Sequence, residues 1–462
     1  MRKWNGQAAR AIALLLTAAM TAFATGCGNR DADQEQNGSG MQMDGTNVSP
    51  GDVDVPAGQD SDIDGPDIEA TASKITDFGL RLLKLGIEEA AASSGNTTLP
   101  PHASMPKSIY DESLCGRNVL LSPLSVLSAL VMTANGARGE TQSQMEEAFG
   151  ISVPELSACL WDYQRTLPAA EKYKLTMANA IWFTADERFT VEEDFLKKNE
   201  ELFESGIRRV TFDSTACREI NDWVKDNTDG MIEEILDEIP ADAVMYLVNA
   251  LAFDAEWERI YRENEVREGE FKTEDGNVIN VEMMYSEESQ YLEDTHATGF
   301  LKYYADRKYA YAALLPEEGM TVAEYVATLD GEKLRDILSH PTQLHVNAAI
   351  PKYESEYSTE LRRILEEMGM QDAFDSAKAD FSGIGRSLDG NIFISRVLHK
   401  TYIAVDEKGT KAGAATAVEM RAEGAMPQED VRTVYLNRPF VYMILDCEHN
   451  LPLFLGVVEG IS

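Results

Sequence analysis

DEKGTKAGAATAVEMRAEG, residues 406 to 424, is the stretch on which the reading of the chain turns. An extended strand sends successive side chains to opposite faces, so the run can be sorted by parity. One parity collects Thr410, Ala412, Ala414, Thr416, Val418 and Met420; the other collects Lys411, Gly413, Ala415, Ala417, Glu419 and Arg421. One face suits burial and the other suits water. On propensity alone the run is an Ala-rich helix or linker, because Ala is the best helix former. It nevertheless follows Gly409 and lies between two far more hydrophobic strand candidates, the setting of an exposed loop. We read it as a loop written with the alternation of a strand.

The 462 residues are 44% hydrophobic, enough to bury a large core in one large domain or in two or three smaller ones. A formal net charge of -38 repels nucleic acid and anionic membrane faces, so neither is an expected partner through charge. Of five cysteines, Cys115, Cys159, Cys217 and Cys447 show neither CxxC nor His-paired spacing, which argues against zinc and against a dense disulfide framework. No metal or cofactor is expected.

Arg2 and Lys3 precede an apolar run from Ala11 to Ala24 that is too short to span a membrane and closes on Ala24, Thr25, Gly26 and Cys27. This is read as an export signal, residues 1–26. Small residues directly before a cysteine resemble a bacterial lipobox, which implies cleavage before Cys27 and a lipid on its sulfur. The expected location is then the extracellular face of a bacterial membrane; plain secretion is the alternative. From Gly28 to about Ala70 the chain is rich in Gly, Ser, Asn, Gln and Asp, so residues 27–72 are read as a disordered acidic tether.

The folded domain, 73–462, opens near Ile75 with Phe78, Leu82, Leu83, Leu85 and Ile87 at helical spacing. Ser122 is a good N-cap with Pro123 at the first helical position, and Leu124, Leu127, Leu130 and Val131 form a stripe. A second helix is expected from Thr141, with Gln144 completing a capping box, and Thr190 with Glu193 is expected to cap another. Strands are expected at 175–183, 245–253, 310–315, 344–353, 434–445 and 451–458, with a hairpin turn at Asp275 and Gly276. The mixed order of strands and helices indicates an α+β fold.

No GxSxG, HExxH, GxxxxGK[ST] or strand-borne GxGxxG motif is present, so the chain is not read as an enzyme. His399 lies on an alternating face with Val397, Thr401, Ile403 and Val405 and needs polar partners in a core. Ser122, Ser125 and Asn249 are the candidates.

NVLLSPLSVLSALVMTANGARGET, LVNALAFDAEWE, AAIPKY, LRRILEEMGMQDAFDSAKADFSGI, ISRVLHKTYIAVDEKGTKAGAAT and VYLNRPFVYMI, in that order, resemble the serpins from about Ile75 to the end. The resemblance implies three β-sheets, about nine helices and an exposed reactive-centre loop. It implies an inhibitor that traps a serine or cysteine protease as an acyl adduct when the cut loop inserts into the central sheet, a behaviour in which serpin loop insertion is a standard case of strand addition. By the same resemblance Glu407, Gly409, Thr410, Ala412, Ala414 and Thr416 form the hinge, and Ser122, Ser125, Asn249, His399 and Trp257 belong to the shutter and breach beneath the sheet. A count from Gly409 puts the cleaved bond at Glu423 and Gly424, which suits a glutamate-selective protease. Arg421 before Ala422 suits trypsin-like enzymes, and Met420 or Ala422 suits elastase-like or subtilisin-like ones. A monomer is expected. A non-inhibitory serpin acting as a binding protein and an extracellular solute-binding lipoprotein are the alternatives.

Overall fold

The computed structural model describes residues 68–94, 118–167, 173–203, 206–239, 243, 245–410 and 430–461, the side chains at 69–70, 93–94, 176–179, 206–207, 247 and 249–250 excepted. All of these belong to one compact unit, Ile63–Ser462. In chain order it comprises α1 (Ile68–Ser94), β1 (Val119–Leu121), α2 (Pro123–Ala134), α3 (Gly139–Phe149), α4 (Val153–Thr166), β2 (Tyr173–Thr184), β3 (Phe189–Val191), α5 (Glu193–Phe203), β4 (Gly206–Val210), α6 (Ser214–Asn227) and β5 (Met245–Glu256). There follow β6 (Val266–Lys272), β7 (Val278–Glu293), β8 (Ala297–Tyr303), β9 (Tyr309–Pro316), α7 (Val322–Ala327), α8 (Gly331–Ser339), β10 (Thr342–Pro351), β11 (Tyr353–Glu360) and α9 (Arg362–Glu367). The last are β12 (Gly385–Ser387), β13 (Leu398–Val405), β14 (Gly409–Thr410), β15 (Val431–Tyr435), β16 (Phe440–Asp446) and β17 (Leu451–Val458). The fold is α+β, with nine α-helices and three sheets among the described residues.

The larger sheet has the order β1-β17-β16-β9-β8-β7-β10-β15, with β6 added on β7. Its centre is made by β9, β16 and β17, every residue of which is buried, as expected for strands covered on both faces. The second sheet runs β11-β13-β14-β5-β2-β4, and β12 pairs with β3 as a short ribbon. Helix α1 and helix α2 cover the β1–β17 end of the larger sheet, while α6 packs Ile220 and Val224 on Trp182 and Val248, on one face of the second sheet. The opposite face of that sheet, carrying Leu251, Phe253 and Ala255, faces the main core.

Four local readings of the sequence are corrected. The first helix starts at Ile68, ahead of Ile75, and buries Thr71 and Ala72. Thr141 and Gln144 do not form a capping box: the Thr141 hydroxyl accepts from the Asp380 N–H and the Gln144 side-chain oxygen from the Asp372 N–H, so both tie α3 to a distant loop. Thr190 is a strand residue of β3, paired with Arg386. The apolar run 434–445 is two strands, because Asn437, Arg438 and Pro439 break it; β15 pairs in parallel with β10, and β16 pairs with β9 and β17. The Asp275–Gly276 hairpin exists between β6 and β7, with Gly276 at φ +84°.

Close approach of backbones leaves no room for side chains at certain glycines. A Cβ on Gly299 of β8 would stand 2.0 Å from the Ala313 carbonyl oxygen of β9. Since Gly299 and Ala313 are both buried, Gly299→Ala is expected to lower unfolding free energy by about 2 kcal/mol or more in urea denaturation.

Candidate functional site

Among the described residues, the second sheet is incomplete between β13 and β5. Those two strands share no pairs of their own among the described residues; the two residues of β14 stand between them, Thr410 opposite Val405 on one side and Ala255 on the other, and Gly409 opposite Glu256. Because β14 is antiparallel to both neighbours, β13 and β5 run parallel to each other. Two interstrand spacings, roughly 9 to 10 Å, separate them there.

The local sequence explains how the chain enters this gap. Asp406, Glu407, Lys408 and Gly409 make a reverse turn in which the Asp406 carboxylate accepts from the N–H of Lys408 at 2.7 Å and of Gly409 at 3.1 Å, and the Asp406 N–H donates to the Gly409 carbonyl. Asp at the first position and Gly at the fourth are the residues such a turn favours. The turn sends the chain back down between β13 and β5. Gly409 is needed for a second reason, since a Cβ there would lie 2.0 Å from the Ala255 carbonyl oxygen.

Two aromatic residues clamp the turn, through backbone and indole N–H groups. Trp257 donates from its indole Nε1 to the Asp406 carbonyl at 2.8 Å and from its backbone N–H to the Lys408 carbonyl at 2.8 Å, and the Tyr261 N–H donates to the Glu407 carbonyl at 3.0 Å. Trp257 stacks on Tyr304, with centroids 4.4 Å apart and planes 12° from parallel, and the Tyr304 hydroxyl is hydrogen-bonded to the buried Thr410 hydroxyl. Glu407 is held from outside by Lys352, 2.9 Å away, which also lies 3.4 Å from Glu282. That hydrogen-bonded lysine keeps the Glu407 carboxyl below the usual carboxylate range.

At the other end of the gap the sheet is open. A cavity of about 850 Å³ is lined by the first residues of β5 (Met245, Tyr246) and of β13 (Leu398, His399), with Ser125 and Ala129 of α2 as floor. His399 is buried, and its Nε2 accepts from the Ser122 N–H at 3.2 Å, so the proton of the neutral ring is placed on Nδ1. The Ser122 hydroxyl is the N-cap of α2, accepting from the Ser125 N–H at 3.3 Å. Thr401, next along the buried face, donates to the Leu120 carbonyl at 2.7 Å. Thus β13 is pinned to the β1–α2 junction by His399 and Thr401. Asn249 occupies β5 opposite Asn179, with its side chain outside the described residues.

Of the residues singled out from sequence, the structure brings together Glu407, Gly409, Thr410 and Trp257 at one end of the gap and Ser122, Ser125 and His399 at the other. Ala412, Ala414, Thr416, the bond candidates Met420, Arg421, Ala422, Glu423 and Gly424, and Cys27 lie outside the described residues. Tyr261, Tyr304 and Lys352 escaped the sequence reading; an aromatic or lysine in an apolar run carries no signal until its partner 50 or more residues away is known.

Comparison with known proteins agrees with this architecture. The family described as Serpin (serine protease inhibitor) matches residues 103–460. The chain belongs to the serpin family. It is 31% identical over 348 residues to a serpin-like protein of Thermococcus kodakarensis, covering 73% of this chain and 80% of that one. It is 30% identical over 359 residues to the leukocyte elastase inhibitor of Equus caballus, covering 73% and 92%. Among solved structures, the thermophilic serpin tengpin in its native state superposes with a TM-score of 0.73 at 42% identity, covering 84% of this chain and 94% of that one.

Burial lowers the His399 pKa from its ordinary 6.5 to about 4. The unfolded chain therefore takes up a proton as pH falls below 6.5 while the folded serpin resists until about 4, so stability from this site is complete above 6.5 and is lost progressively down to 4. The loss amounts to on the order of 3 kcal/mol. In urea denaturation, the stability advantage of wild type over His399→Asn is expected to shrink by roughly 2 to 3 kcal/mol between pH 7 and pH 4, apart from acid effects common to both.

Proposed function

We propose that this serpin is a protease inhibitor of the suicide-substrate type, and that the loop beginning at β14 completes the second sheet after cleavage. The observation that carries the reading is the unpaired gap between β13 and β5, already entered at one end by Gly409 and Thr410. Continuing that register downward would set Ala412 opposite Ile403 and Phe253, Ala414 opposite Thr401 and Leu251, and Thr416 opposite His399 and Asn249. Ile403, Thr401 and His399 are all buried, and Leu251 and Phe253 face the main core. Ala412, Ala414 and Thr416 are small enough to follow them without overpacking. Gly413, Ala415 and Ala417 would fall on the face covered by α6, where small residues are again an advantage. The same register ends β5 at Met245 opposite Met420, so a bond at Glu423 and Gly424 lies just past the last residue the gap can hold.

The chemistry would come from the target. Its serine or cysteine attacks the loop carbonyl, expels the new amino terminus of the C-terminal fragment, and is left as an ester or thioester. Filling the gap then pairs about ten residues on two sides; at about 1 kcal/mol net per hydrogen bond this is on the order of 10 kcal/mol or more, enough to displace the attached enzyme before water completes hydrolysis. The scaffold itself contributes no catalytic group and is not an enzyme in this reading. Small-residue spacing before Cys27 supports display from a lipid anchor on the extracellular face of a bacterial membrane, with secretion as the alternative, and elastase-like, subtilisin-like, trypsin-like and glutamate-selective proteases are the candidate targets.

The test is to mix residues 63–462 with a panel of those four protease classes, look for a denaturation-resistant adduct, and sequence the released C-terminal peptide. Thr410→Arg places a charge in a position that is 1% exposed and faces the Tyr304 hydroxyl. It is expected to be cleaved at the wild-type rate but to give little or no adduct, turning inhibitor into substrate. Cleavage of wild type by every class without adduct would leave the non-inhibitory reading in its place.

A further inference from the structure

An ion pair between a buried lysine and a half-buried glutamate lies beside the hinge and takes no part in the scheme above. Lys302, on β8, is 2% exposed, and its ammonium stands 2.9 Å from the Glu288 carboxylate of β7. The same ammonium lies 4.3 Å from the ring centroid of Tyr261 and 5.3 Å from that of Trp257. Ser286 donates to Glu288 at 2.7 Å, and the Tyr261 and Ser286 hydroxyls are 3.3 Å apart. Glu288 sits at a register irregularity, where β10 carries an extra residue between Gln343 and Val346 against β7; such bulges re-aim side chains.

Taking the Lys302 ammonium out of water is costly, and a well-packed apolar pair would serve stability as well or better. The groups the pair touches are more informative. Tyr261 and Trp257 are the residues that donate three hydrogen bonds to the carbonyls of Asp406, Glu407 and Lys408, and Trp257 stacks on the Tyr304 that holds Thr410. A cation over two ring faces fixes where those rings stand.

We propose that Lys302 and Glu288 are positioning residues for loop insertion: they seat Trp257 and Tyr261 so that the Asp406–Gly409 turn delivers Thr410 opposite Ala255 and Val405 in a single register. The inference deepens the inhibitory reading and rests on it for its functional consequence. Register is the quantity at stake, because a slip of one residue sends every inserted side chain to the wrong face. A loosened seat leaves attack on the loop unaltered and slows productive insertion, so more adducts are hydrolysed before they are trapped.

The test pairs two readouts on residues 63–462. Lys302→Met combined with Glu288→Gln removes both charges without stranding either, and Lys302→Arg keeps the cation as a control. Hydrogen exchange of the 255–262 segment, which contains the Trp257 and Tyr261 amides bonded to the hinge, is expected to quicken at least tenfold in the double variant and to stay near wild type in Lys302→Arg, with α1 and α2 unchanged in both. With any protease that forms an adduct, the double variant is expected to keep the wild-type rate of loop attack and to need at least fivefold more inhibitor per protease trapped. Unchanged exchange in 255–262, or faster exchange with unchanged stoichiometry, overturns the proposal. Absence of adduct from wild type itself strikes at the inhibitory reading, while the exchange result still decides whether the pair seats the hinge.

Discussion

Thr410 sits between Val405 and Ala255, with its hydroxyl on Tyr304, and the rest of the structure is arranged around that wedge. Backbone N–H and C=O groups on the facing edges of β13 and β5 find no partners in each other, although two parallel neighbouring strands are an ordinary arrangement. Exposed strand edges invite pairing. Here the edges face each other across the width of one strand, and Gly409 and Thr410 already occupy its entrance.

Different contacts govern the two ends of the gap. At the hinge end the contacts are directional and numerous: the Asp406 turn, the indole of Trp257, the Tyr261 amide and the Lys352–Glu407 ion pair. At the far end, among the described residues, a cavity, the His399 bond to the Ser122 N–H and the Thr401 bond to the Leu120 carbonyl take their place. In the proposed insertion, this difference between the two ends would favour filling from the hinge downward. The fully buried β9, β16 and β17 of the larger sheet supply a rigid block behind the second sheet.

Much of the fold was legible because its signals are local. The N-cap at Ser122 with Pro123, the buried alternation of His399, Thr401, Ile403 and Val405, and the long apolar strands each need only a few consecutive residues to be recognised. The α+β class followed from their order, and the family from long motifs in sequence. What failed was non-local: Thr141 and Gln144 spend their side chains on residues 372 and 380, and 434–445 reads as one strand until Asn437 to Pro439 are seen to turn it between two sheet positions. At the site, the parity of the loop could be sorted from sequence, and Thr410, the member of that parity among the described residues, is buried opposite Val405 and Ala255. The clamp of Trp257, Tyr261 and Tyr304, and Lys302 behind it, depends on contacts across 40 to 150 residues that no periodicity records.

The most direct measurement of the incomplete sheet is the stability of the protein before and after a single cut in the 411–430 loop. Intact and loop-cleaved samples, both retaining the C-terminal fragment, would be compared by thermal and guanidinium unfolding. If the gap between β13 and β5 is a vacancy that the loop fills, cleavage raises the midpoint by tens of degrees and the cut protein resists denaturant that unfolds the intact one. A midpoint that is unchanged or lower after cleavage would mean that the gap stays empty, and the account of the second sheet as one strand short of its stable form would be wrong.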